Sequence, residues 1–216
     1  MSGFIANTEL VPVVLLAGGR SSRMGSNKAF ASLGGESLLS RVAGRLGKRG
    51  QHPIALNADA DWPDALGLRL VPDRIPGKLG PLAGVLTAMQ DTALHYPQAS
   101  HVATVPIDSP FFPFGLIERL ADAIQGRDEI AVATSLGRDH PVFSLWPVSA
   151  AADLESWIVT DKKRRVSDFL ARYKVQRVDF PAIETPIGPL DPFFNVNTPD
   201  DLADAEKWLA ALETKA

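Results

Sequence analysis

The chain has 216 residues, enough for one sizeable hydrophobic core and too few for two ordinary domains. Its 45% hydrophobic and 22% charged residues are those of a globular protein in water, and a net charge of −3 argues against a nucleic-acid binder that relies on phosphate neutralisation. Cysteine is absent, which excludes disulfides, thiolate zinc sites and iron–sulfur ligation. Residues 1–10 show no signal-peptide pattern, and no apolar run approaches the ~18 residues of a membrane span, so the expectation is a cytoplasmic protein with no membrane partner.

Val11 to Leu16 is apolar without polar alternation, which suits a strand buried on both faces of a parallel sheet. Ala17, Gly18 and Gly19 then remove side-chain bulk, so a ligand can approach the backbone with amide N–H groups aimed at it. Arg20, Arg23 and Lys28 follow. A Gly-Gly pair is by itself only a turn, and loop cations are ordinarily solvated, but the combination suits a polyphosphate at the end of a first strand. Neither the P-loop pattern nor GxGxxG is present.

Ser37 to Leu46 has helical apolar spacing. Ile54 to Leu56 reads as a strand ending at Asn57, and Leu68 to Val71 as one ending at Asp73, with Asp59 to Leu66 a loop or short helix between them. Pro72 to Pro81 is rich in proline and glycine and reads as an exposed loop, followed by a helix from Leu82 to Ala93. His101 to Val105 is the next strand, closed by Pro106-Ile107-Asp108-Ser109-Pro110, and Phe114 to Ile124 the next helix. Ile130 to Thr134 and Val142 to Trp146 read as strands around a turn at Gly137-Arg138-Asp139. Ala150 to Ile158 is helical in pattern, Asp161 to Arg165 a charge run, Val166 to Tyr173 a short helix and Val175 to Phe180 a strand. Pro181 to Pro192 reads as a proline-rich loop. Thr198, Pro199, Asp200 and Asp201 start a final helix that runs to about Leu212.

Strands alternating with helices predict an α/β fold: a three-layer, Rossmann-like, mainly parallel sheet with helices on both faces, in a single domain over residues 1–216. In such a sheet Asn57, Asp73 and Asp108, each just past a predicted strand, share one edge with Gly18 and Gly19. Asp108 is held between two prolines. A lone carboxylate there suits Mg²⁺, or equally caps the next helix. Asn57 can read a base edge or terminate a strand, and Asp73 can form a turn. His140 reads as a turn histidine, and Lys162 to Arg165 as a solvated face or a phosphate contact.

Leu16 to Lys28, LAGGRSSRMGSNK, resembles the LAGGxxxRMGxDK signature of nucleotidyltransferases, and most of all the molybdenum cofactor guanylyltransferases of the MobA family. Asn27 departs from that signature, which has Asp before the lysine. Gly80 to Gly84 (GPLAG), VPIDSP around Asp108, Asp139-His140-Pro141 and Phe194 to Leu202 (FNVNTPDDL) extend the resemblance, which runs from Val11 to Leu209. It implies transfer of GMP from GTP to the phosphate of molybdopterin or the molybdenum cofactor, releasing pyrophosphate and forming a guanine dinucleotide. Lys28, Asp108 and Arg23 would be catalytic, with Mg²⁺ on Asp108. GTP would lie on Leu16, Ala17, Gly18, Gly19, Lys28, Asn57, Asp73, Gly80 and Asp108. His140, Asn195 and Asn197 would face the acceptor. The implied partners are GTP and molybdopterin or Mo-molybdopterin, and accessory proteins of molybdoenzymes, for a monomer without nucleic acid. The alternatives are a related transferase using CTP or a sugar phosphate, and a non-catalytic GTP-binding accessory protein, which only Asn27 favours.

Overall fold

A computed structural model describes residues 10–17, 28–47, 52–75, 79–161 and 163–214. Strand β1 (Val13–Leu16) is buried at all four positions, as its unbroken apolar run predicts. Its side chains alternate between two apolar clusters. Val13 and Leu15 pack with Leu39, Val42 and Leu46 of α1 (Leu38–Gly47) and with Leu116, Ile117 and Leu120 of α3 (Leu116–Ala123). Val14 and Leu16 pack instead with Leu82, Val85 and Met89 of α2 (Pro81–His95) and with Leu154 and Ile158 of α4 (Ala151–Thr160). The period of two along one strand thus creates the three layers.

The described residues form a seven-stranded sheet. Its order is β5 (Arg69–Leu70), β4 (Ile54–Asn57), β1, β6 (His101–Pro106), β8 (Arg138–Pro147), β7 (Ile130–Ser135) and β9 (Val175–Asp179). Pairings β4–β5, β1–β4, β1–β6 and β7–β9 are parallel. Among the described strands of this sheet, only β8 runs against its neighbours, antiparallel to both β6 and β7. No described helix is long and apolar enough to cross a membrane.

Three features differ from the sequence expectation. Strand β8 starts at Arg138 rather than Val142, so Arg138 and Asp139 belong to the strand and the turn is Leu136-Gly137. Both turn residues have positive φ, 49° and 74°, the twist a two-residue hairpin demands. Pro181 to Pro192 is no irregular loop. It contains the hairpin β10 (Ile183–Thr185) and β11 (Gly188–Leu190), which carries Leu190 into a third apolar cluster with Leu33, Phe111 and Val196. Proline is tolerated there because a two-stranded ribbon is all edge. A second ribbon, β2 (Ser32–Leu33) with β3 (Glu36–Ser37), leads into α1. Val166 to Tyr173 shrinks to a five-residue helix, α5 (Val166–Leu170), and the chain closes on α6 (Pro199–Thr214), whose Ala205 and Leu209 join the third cluster.

Candidate functional site

Parallel register puts the strand tips side by side. Leu16 at the end of β1 stands opposite Asn57 of β4 on one side and Pro106 of β6 on the other. The chain just past these tips is tied down too: Ala17 N–H donates to the Asn57 carbonyl at 3.0 Å, and Ile107 N–H to that of Leu16 at 3.3 Å.

Lys28 opens a single 3-10 turn that ends at Phe30. Its ammonium forms an ion pair with Asp108, two residues past β6, and both side chains are about 15% exposed. The same Nζ donates to Asn197 Oδ1 at 3.2 Å. Asn197 is placed by its own neighbours. Val196 N–H donates to the Asp108 carbonyl at 2.8 Å, and Asn197 N–H to Asp201 Oδ2 at 2.9 Å. Ser109 Oγ donates to Asn195 Oδ1. The FNVN segment is therefore laced directly to the loop after β6.

Asn57 and Asp73 form a second knot. Asn57 is buried, and its amide nitrogen donates to the Val71 carbonyl at 2.9 Å and to Asp73 Oδ1 at 2.8 Å, which commits both of its hydrogens. Thr87 of α2 donates to the same Asp73 oxygen at 3.2 Å. Asn57 Oδ1 faces Gly84 of α2, where a Cβ would lie only 2.8 Å away. Gly80, at φ 84°, turns the chain into α2, whose first residue is Pro81.

Beside these tips lies a cavity of about 310 Å³. Leu16, Lys28, Pro106, Asp108 and Asn195 line it from the parallel side, and Arg138, Asp139, His140, Pro141 and Phe143 from β8. His140 stacks on Phe193 with centroids 4.6 Å apart, and burial pushes its pKa below the usual histidine value against the pull of the Asp191 charge. Arg177 pairs with Asp139 at 3.0 Å.

Of the residues singled out in the sequence, Leu16, Lys28, Asp108, His140 and Asn195 meet at this cavity. Asn197 joins them through Lys28. Asn57, Asp73 and Gly80 sit along the strand tips and the start of α2 but do not line the cavity. Gly18, Gly19 and Arg23 lie outside the described residues, as do Arg20, Asn27 and Lys162. Arg164 turns back to donate to the Ile158 carbonyl of α4 at 2.8 Å, and no described residue of that charge run lines the cavity. Two residues went unseen in the sequence. Ser135 and Asp191, 56 positions apart, bond to each other at 2.6 Å next to His140, and no local pattern could link them. Arg138 was hidden as a turn residue, whereas strand pairing with Ser135 sets it on the cavity wall.

Residues 13–178 match the profile of the MobA-like NTP transferase domain. The chain belongs to that family. It is 73% identical to the molybdenum cofactor guanylyltransferase of Rhizobium rhizogenes over 213 residues, 99% of each chain. In three dimensions it is similar to molybdopterin-guanine dinucleotide biosynthesis protein A from Archaeoglobus fulgidus, with a TM-score of 0.68 at 23% identity, covering 93% of this chain and 99% of that one. It shares the fold as well with Rv0371C of Mycobacterium tuberculosis, solved in complex with manganese, at a TM-score of 0.61 and 19% identity over 92% of this chain and 99% of that one. The MobA-like profile spans every strand of the seven-stranded sheet up to Val178 in β9, so the residues lining the cavity fall inside it except Asn195.

Proposed function

We propose that this chain is a molybdenum cofactor guanylyltransferase, acting as one domain over residues 1–216. It transfers GMP from GTP to the phosphate of molybdopterin. An acceptor phosphate oxygen bonds to the α-phosphorus, the bond from that phosphorus to the bridging oxygen breaks, and pyrophosphate leaves with the electron pair. The observation that carries this reading is the meeting of Lys28, Asp108 and Asn197, from three distant segments, beside the tip of β1 at the cavity. The names of the relatives support it independently.

The nucleophile is already an anion, so the chemistry needs positioning and charge neutralisation rather than a strong base. Lys28 brings a positive charge that Asp108 and Asn197 hold in place, directed at the triphosphate together with Arg23 and the Gly18 and Gly19 amides. The Asn57–Asp73–Thr87 knot holds the base side of GTP, Asp73 being its exposed member. The Asp108 and Asn197 oxygens that hold the Lys28 ammonium are hard donors of the kind Mg²⁺ takes, and the Asp108 carboxylate would hold the metal beside Lys28, with phosphate and water completing its set. When bound, Mg²⁺ neutralises charge on the phosphate oxygens. His140 and Asn195 face the acceptor.

The test is pyrophosphate release from GTP, CTP and UTP, with and without molybdopterin, in Mg²⁺ and after chelation. The expected result is release from GTP alone, dependent on both acceptor and metal. Release from CTP in preference to GTP, or tight GTP binding without turnover on a competent acceptor, would overturn the reading.

A further inference from the structure

We infer that Asp191 and Ser135 hold the His140 ring in a single tautomer, so that its Nδ1 lone pair stands on the cavity wall as an acceptor for an N–H or amino group on the heterocycle of the acceptor substrate. The substrate half of this statement rests on the function proposed above. The tautomer half rests only on the geometry that follows.

Ser135 Oγ lies 2.6 Å from Asp191 Oδ1 and 2.7 Å from His140 Nε2. The hydroxyl is fully buried and has one hydrogen for two partners. Asp191 Oδ1 also receives the Phe193 N–H at 2.9 Å, and an ionised carboxylate only accepts. The serine hydrogen therefore goes to Asp191. Ser135 Oγ is left as an acceptor toward the ring, so Nε2 must carry the hydrogen of the neutral imidazole. Nδ1 is then a bare lone pair.

The surroundings hold the ring in that state. Phe193 covers it at a centroid distance of 4.6 Å, and burial favours the uncharged form. Residues 133 and 140 pair across β7 and β8, which puts the ring beside Ser135 rather than on the hairpin tip. Nδ1 has no hydrogen bond to any described residue, and the buried polar atoms that lack a partner do not include it. It is the polar atom of His140 left open on a residue that lines the cavity. Lys28 and Arg138 on the same cavity suit anionic groups. A fixed lone pair among them suits a hydrogen donor, and a heterocycle bearing N–H groups beside a phosphate has both.

The experiment has two arms. Nitrogen-15 NMR of the free protein reads the tautomer directly. The wild type is expected to show Nδ1 unprotonated and Nε2 protonated, and Ser135→Ala a mixture of the two forms. Steady-state kinetics then compares Ser135→Ala, His140→Phe and His140→Asn, the last of which can set an amide oxygen near the Nδ1 position. Ser135→Ala and His140→Phe are expected to raise KM for the acceptor at least tenfold while KM for GTP stays within twofold, with His140→Asn recovering part of the loss. A protonated Nδ1 in the wild type, an equal rise in both KM values, or no rise in the acceptor KM would overturn the inference. Wild-type protein that fails to turn over GTP and molybdopterin would instead defeat the proposed function, and the NMR arm would still decide the tautomer.

Discussion

Lys28 and Asp108, 80 positions apart, form an ion pair where β1 and β6 end. Each side chain is mostly shielded from water, so removing one leaves the other's charge poorly compensated. Lys28→Ala and Asp108→Ala are each expected to lower kcat/KM for GTP by about 10²-fold or more, the scale of losing a charged donor at a phosphoryl-transfer site. The double variant should lose far less than the product of the two, because both changes dismantle one unit. Pyrophosphate release measured alongside thermal unfolding separates lost chemistry from lost fold.

Two glycines in helices should respond oppositely to alanine. At Gly44, on the exposed face of α1, a Cβ meets nothing within 4 Å, so Gly44→Ala should stabilise by the usual helix gain of about 0.5–1 kcal/mol. At Gly84 a Cβ would sit 2.8 Å from Asn57 Oδ1 and 3.1 Å from a Leu16 methyl. The Leu16 methyl can yield, whereas Asn57 is pinned by two hydrogen bonds. Overpacking of about 1–3 kcal/mol outweighs the helix gain there. Gly84→Ala should lower Tm by a few degrees and weaken GTP binding, as differential scanning calorimetry and titration with GTP would show.

The start of α6 is a reciprocal cap. Asp201 Oδ2 accepts the N–H of Asn197 and of Thr198, each at 2.9 Å, while Asp201 N–H donates to Thr198 Oγ1 at 3.1 Å. Partial burial raises the Asp201 carboxyl pKa, but these donors outweigh it and hold the group below its usual value. A lowered carboxyl contributes stability above its unfolded pKa of about 4 and loses it as pH falls through the folded value. Asp201→Ala should therefore cost about 1 kcal/mol near pH 7, and the gap to wild type should shrink in strong acid. Because the cap also holds Asn197 against Lys28, KM for GTP should rise in the same variant.

His101 is buried, with Nε2 at 3.0 Å from the Glu129 carbonyl and Nδ1 at 2.9 Å from Ser100 Oγ. Burial lowers its pKa, outweighing the Glu129 carbonyl bond that raises it. The unfolded chain thus binds this proton more readily than the folded one. The stability held by neutral His101 is complete above the unfolded value of about 6.5 and is lost as pH falls through it toward the folded value. Denaturant midpoints between pH 7.5 and 5 should fall for the wild type, and fall less for His101→Gln.

The convergence of strand tips was legible because β1, β4 and β6 are short apolar runs, closed by Ala17, Asn57 and Pro106 in turn. Parallel pairing then does the rest, setting Asn57 and the approach to Asp108 beside Leu16. The first residues of β8 were hidden because Arg138 and Asp139 are exposed and polar, and Pro141 reads as a breaker. The β10–β11 hairpin was hidden by its prolines. Asn57 had the right place in the sequence, but its hydrogens go to Val71 and Asp73, a partnership visible only once β4 and β5 are paired. Ser135 and Asp191 carry no periodic or motif signal, since three-dimensional proximity alone joins them to His140.

The reversed direction of β8 gives the cavity two walls of unlike origin. One wall comes from where strands finish, and the other from where a single strand begins, right after the Leu136-Gly137 bend. Lengthening or rewriting that one bend would remodel the β8 wall and leave Leu16, Lys28 and Asp108 in place. The architecture is therefore modular: editing one hairpin would reshape one face of the cavity without disturbing the Lys28–Asp108 face opposite.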